Sequence, residues 1–96
     1  MKKFVLLYVG SRNQPSPDRI EKTKKWFEIL GDRIVDSGNP LVPGKEITQS
    51  GTKALPQDNE EILGYSIINA ESIEEIEKLA KDCPVNSIRV YEALPM

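Results

Sequence analysis

Lys2-Lys3-Phe4-Val5-Leu6-Leu7-Tyr8-Val9-Gly10 is the stretch whose reading decides the fold. Side chains alternate along a strand, so Val5, Leu7 and Val9 point one way and Phe4, Leu6 and Tyr8 the other. A strand that is apolar on both faces needs cover on both. The rest of the chain offers two helical stretches, enough to cover one face of a small sheet. The other face is left for a second copy of the chain, and a ligand cleft is expected at that join.

Working outward from this strand, residues 10–16 read as a loop. Ser16 has the character of an N-cap, with Pro17 at the first helical position and Asp18 favourable to the helix dipole. The helix runs to Leu30 and stops at Gly31. Ile20, Thr23, Phe27 and Leu30 form its apolar stripe, which Trp26 widens. A short strand follows over residues 32–37 and ends at Gly38-Asn39-Pro40. Residues 45–49 can extend as a strand into a hairpin-like turn at 50–53, and 54–61 form a polar surface excursion. The second long strand covers 62–70, where Gly64 marks a bulge or the close approach of another backbone or a ligand. Ser72-Ile73-Glu74-Glu75 is a capping box that opens a second helix, with Ile73, Ile76, Leu79 and Ala80 on one stripe and Pro84 beyond its end. Residues 86–93 alternate Ile88 and Val90 against Arg89 and Tyr91 and read as the last strand. The order strand, helix, strand, hairpin, strand, helix, strand makes two split βαβ units. The expected fold is α+β and ferredoxin-like: one domain over residues 1–96, an antiparallel sheet, and both helices on one face.

Composition narrows the function. A formal charge of −2 and a pI near 5.2 argue against nucleic acid as a partner. No apolar run approaches a membrane span. Lys2 and Lys3 before apolar residues faintly mimic a secretory signal, but the run stops at Val9 without a small-residue cleavage site, so a cytoplasmic protein is expected. The single cysteine excludes an internal disulfide and a multi-cysteine metal site. The absence of histidine removes the commonest general base, the commonest zinc ligand and any Ser-His or Cys-His pair within the chain. No cofactor and no metal are expected.

Several segments together resemble the YCII-related proteins, in the branch often called DGPF domains. Asp36-Ser37-Gly38-Asn39-Pro40-Leu41 with Pro43-Gly44-Lys45 is similar to that branch's "DGGNPL…P.K", residues 64–72 to its "GYSIIEADS", residues 80–84 to its "AKGCP", and the first strand to its "KYMLLY". The set spans nearly the whole chain in order. The resemblance implies a ferredoxin-like domain that pairs sheet to sheet as a dimeric α+β barrel, a homodimer. It also implies relatives that act in small-molecule breakdown or associate with transcription factors. The chain departs from the family where its suggested catalytic pair would lie. The first helix has no histidine, Cys83 occupies the position before the proline, and Val85 stands where the DGPF branch often has a histidine. The tetrapeptide DGPF is replaced in its region by residues 54–57 (Ala-Leu-Pro-Gln).

The candidate residues each carry two readings. Asp36 is either a carboxylate acid or base in a cleft or a turn residue bonded to the backbone N–H of Gly38 or Asn39. Asn39 either contacts a ligand or sets the turn with Pro40. Cys83, at a helix C-terminus where the dipole raises a thiol pKa, is either ligand-facing or a small buried hydrophobe. Tyr8 and Tyr65 suit a dimer core or a pocket lining, while Trp26 at helical spacing reads as core. Arg19, Lys22, Lys24 and Lys25 read as a solvated face. Three functions follow: a small-molecule-binding homodimer, an enzyme using Asp36 on a small ring or carbonyl compound with any metal supplied from outside, and an interaction module that docks on a transcriptional regulator.

Overall fold

The computed structural model describes residues 1–11, 17–56, 60–85 and 87–96. The chain runs β1 (Lys2–Gly10), α1 (Pro17–Leu30), β2 (Ile34–Asp36), β3 (Lys45–Thr48), β4 (Gly51–Ala54), β5 (Glu61–Ala70), α2 (Ile73–Leu79) and β6 (Ser87–Ala93). Four strands form one sheet in the order β2-β5-β1-β6, and every neighbouring pair is antiparallel. β3 and β4 form a separate hairpin. The α+β class with an antiparallel sheet and two helices is therefore as the sequence pattern indicates. Ser16, read as the N-cap of α1, lies outside the described residues, as do 57–59 in the polar excursion and Asn86 before β6. No described helix is long and apolar enough to cross a membrane.

The alternation along β1 sets the core. Pairing puts Phe4 opposite Ile68, Leu6 opposite Ser66 and Tyr8 opposite Gly64. Phe4, Leu6, Ile68 and Ala70 are buried with Trp26 and Leu30 of α1 and Ile76 of α2. Both helices thus contribute to one core on one face of the sheet. Val5 pairs with Ile67 and Leu7 with Tyr65 on the opposite face, and these four residues are only half-buried. Tyr91, which pairs with Val5 from the other side, is 57% exposed. Val9 departs from Val5 and Leu7. The register shifts after Tyr8, leaving Leu63 as the extra residue of a bulge, and Val9 is buried.

The helices differ from the expected stripes in detail. On α1 the buried positions are Trp26 and Leu30, four residues apart, while Thr23 and Phe27 are half-buried and Ile20 is 67% exposed. The buried stripe is rotated toward Trp26, whose indole N–H finds an acceptor in Tyr8, so the whole ring can be buried without an unpaired donor. Lys22, Lys24 and Lys25 are exposed; the Arg19 side chain lies outside the described residues. A single turn of 3-10 helix at Gly31–Arg33 follows α1, and Gly31 has φ +51°. At α2, the Ser72 hydroxyl accepts from the Glu75 N–H at 3.3 Å. The Glu75 carboxylate reaches one residue further back than a reciprocal capping box would, accepting from the Glu71 N–H at 2.9 Å. Its other oxygen accepts from Arg33 Nε at 2.6 Å, tying the start of α2 to the 3-10 turn that follows α1.

A candidate cavity between helix α1 and the sheet

The segment that follows β2 is built to lie against β5. The Asp36 carboxylate accepts from the Gly38 N–H at 2.8 Å, which closes an Asx turn. Gly38 has φ +82°, and a Cβ placed there would sit 1.7 Å from the Tyr65 carbonyl oxygen. Only glycine fits both the left-handed conformation and the contact. The seat continues along the segment. Ser66 Oγ donates to the Ser37 carbonyl at 2.8 Å, Pro40 bridges Gly64, and the Leu41 N–H donates to the Leu63 carbonyl at 2.8 Å. Asn39 Nδ2 donates to Tyr65 Oη at 3.3 Å. A Cβ on Gly64 would lie 3.0 Å from the Asn39 carbonyl oxygen. Gly64 thus flanks a bulge and also takes the close approach of another backbone, the two roles its place in the strand indicated.

A directed chain of hydrogen bonds joins this segment to α1. Trp26 Nε1 donates to Tyr8 Oη at 3.0 Å, Tyr8 Oη donates to Ser66 Oγ at 2.7 Å, and Ser66 Oγ donates to the Ser37 carbonyl. Each hydroxyl both accepts and donates, so no proton in the chain points to an empty place. Burial pushes the Tyr8 phenol above its ordinary 10.0. The bond to Ser66 and the bond from Trp26 act the other way, and the nearby Cys83 thiol adds to the rise. Tyr8 is a neutral phenol at any physiological pH.

Between α1, the ends of β1 and β5, and this segment lies a cavity of about 470 Å³. That volume falls in the range of small-molecule sites, about 300–1,000 Å³. Tyr8, Trp26, Phe27, Leu63, Pro84 and Val85 supply apolar surface, and Thr23 and residues 37–40 complete the lining with Gly64 and Tyr65. No Asp, Glu, Lys, Arg or Cys is among the described lining residues.

Of the residues singled out from sequence, Tyr8, Asn39 and Tyr65 come together at this cavity. Asp36 does not line it, and its carboxylate is engaged in the turn. Cys83 packs against the core instead of the cavity. Burial pushes its thiol above the usual 9.0, opposed by a hydrogen bond with the Val85 backbone. Trp26 is core, as its spacing indicated, and its ring is also cavity wall. Ser66 has no counterpart in the sequence reading. Its signal is a polar residue at the core-facing parity of β5, in step with Ile68 and Ala70. The cleft expected at a join of two copies would lie on the open face of the sheet, whereas this cavity is formed within one chain on the helix side. Among the described residues no group of three or more His, Cys, Asp or Glu side chains is placed to hold a metal ion. Comparison of the chain with protein-family models gives no match, and comparison with curated proteins gives none either.

Proposed function

We propose that this chain is a small-molecule-binding protein of the YCII-related type, cytoplasmic and homodimeric, with the cavity between α1 and the sheet as its binding site. The observation that carries the reading is the cavity itself: ligand-sized, aromatic-walled and bounded on one side by a segment bonded into place at several points. Its described lining holds no ionised side chain, which favours binding over acid–base chemistry. For the fold, the order β2-β5-β1-β6 with both helices on one face supports a ferredoxin-like split βαβ domain. For the homodimer, support comes from the half-open apolar face of Val5, Leu7 and Ile67.

Two measurements test the reading. A ligand of the native state raises stability by mass action, about 2.7 kcal/mol at a hundredfold excess over Kd. A thermal-shift screen of small uncharged metabolites is expected to yield stabilisers, and a broad library without one refutes the binding role. Light scattering over a dilution series is expected to give twice the 10.8 kDa chain mass, and Ile67→Glu, on the open face, is expected to halve it. A wild-type mass of one chain refutes the dimer and leaves the cavity reading in place.

A further inference from the structure

We propose that the cavity takes a flat ring compound bearing a carbonyl oxygen, with the ring against the aromatic walls and the oxygen on Tyr65 and Asn39. The inference rests on the cavity being the binding site and adds the chemistry of what it holds. Trp26, Phe27 and Tyr8 bring rings to the lining, with Leu63, Pro84 and Val85 beside them. Such walls favour a flat ring, which packs on them offset or edge-on.

The polar side of the lining is where the ligand's oxygen belongs. The Tyr8 hydroxyl is engaged with Ser66. Tyr65 and Asn39 are placed differently. Asn39 Nδ2 donates to Tyr65 Oη at 3.3 Å, and both residues line the cavity. That bond uses one of the two amide protons and one lone pair of the phenol oxygen. The phenol proton and the second amide proton have no acceptor among the described residues. Two donors, each with a proton to give, therefore stand 3.3 Å apart. A carbonyl oxygen carries two lone pairs, so one such oxygen can accept from both. Ser37, two residues before Asn39, brings a further uncommitted hydroxyl to the lining. Asn39 is exposed and Tyr65 half-buried, so both donors are hydrated when the cavity is empty. Exchanging water for the carbonyl gains only the net value of a neutral hydrogen bond, about fivefold in affinity for each.

The chain contains a single tryptophan, so one indole N–H peak in a proton–nitrogen correlation spectrum reports on the wall. Acetophenone and α-methylstyrene share one shape and differ by an oxygen against a methylene group. Titrated against the full chain, acetophenone is expected to move the Trp26 indole peak and the Asn39 side-chain amide pair, and to bind about fivefold or more tightly than α-methylstyrene. Tyr65→Phe removes the phenol proton and keeps the ring. Asn39→Asp, at an exposed position, removes both amide protons and keeps the shape. Each is expected to abolish the preference for acetophenone, with circular dichroism confirming the fold. Val85→Phe, which fills the cavity, is expected to weaken both compounds at least tenfold. Equal affinity of the two compounds for the wild-type chain overturns the inference and leaves the cavity as a binding site, as does a preference that persists in either folded variant. A Trp26 peak that neither compound moves up to its solubility limit, or affinities that Val85→Phe leaves unchanged, overturn both the inference and the cavity as the site.

Discussion

Removing one oxygen atom tests the hydrogen-bond chain that unites helix, sheet and loop. Ser66 is fully buried, and Ser66→Ala deletes its Oγ with almost no change of shape. Two bonds go, at 2.7 Å from Tyr8 and at 2.8 Å to Ser37. Each is worth about 1 kcal/mol net, and a buried donor left without an acceptor costs about 1–3 kcal/mol. The Tyr8 proton, on a half-buried ring, loses its acceptor in this way, while the Ser37 carbonyl, on an exposed residue, can regain water. The expected loss is about 2–3 kcal/mol, a fall in Tm of about 10–20 °C for a domain of this size. Tyr8→Phe strands the buried Trp26 N–H instead and is expected to cost about 2 kcal/mol. The double variant no longer contains the stranded Tyr8 proton, so its loss should fall short of the sum by about 1–2 kcal/mol. Urea unfolding followed by both Trp26 fluorescence and far-ultraviolet circular dichroism, at one fixed chain concentration, measures all four corners of the cycle. Ser66→Ala within about 0.5 kcal/mol of wild type, or single losses that simply add, would refute the reasoning.

Other consequences can be checked with single variants. Gly38→Ala must relieve both the left-handed backbone and the 1.7 Å approach to the Tyr65 carbonyl, so it is expected to cost at least about 3 kcal/mol in urea unfolding. Because residues 37–40 wall the cavity, the same variant should lose ligand binding measured by Trp26 fluorescence. The Glu75 carboxyl is held below its ordinary 4.5, first by the Glu71 N–H and then by Arg33. Its contribution is therefore full above the unfolded value and is lost as pH falls through the lower folded one; Glu75→Gln should flatten the acid limb of a stability–pH curve below about pH 4.5. The Cys83 thiol, raised by burial, is expected to react with a disulfide reagent at neutral pH far more slowly in the native chain than in urea, and equal rates would contradict its packing.

The parts of the fold set by periodicity were legible in the sequence. Phe4 and Leu6 alternate with Val5 and Leu7, and the structure gives the first pair to the core and leaves the second half-open. On β6 the alternation is shallower: Ile88 and Val90 are half-buried, and Arg89 and Tyr91 are exposed. Turn chemistry was legible too: Ser72 caps α2 and Asp36 closes its turn. Less legible was whatever depends on contact between distant segments. The stripe of α1 turns toward Trp26 because an acceptor waits on β1, 18 residues away in sequence, and no helical period carries that information. Ser66 meets Tyr8 across 58 residues and Ser37 across 29. A serine in an apolar strand signals that some partner exists, but not which.

The residues after β2 are those that invite a chemical reading: an acid, a glycine, an amide and a proline in one short run. In the structure their polar groups serve the backbone. Asp36 satisfies the Gly38 N–H, Gly38 lets the chain touch β5, Asn39 holds Tyr65, and Pro40 meets Gly64. The Asp36 carboxylate is bonded through Oδ1 inside its own turn, and Asp36 is not among the described residues that line the cavity. The run shapes function by a different route. By seating residues 37–40 on β5 it forms one wall of the cavity, and by accepting the Ser66 proton at Ser37 it gives the chain from Trp26 through Tyr8 its direction. The same bonds engage the Trp26 indole N–H and the Tyr8 and Ser66 hydroxyls. Loop, core serine and cavity wall are therefore one arrangement, and a change to any of them should move both stability and binding.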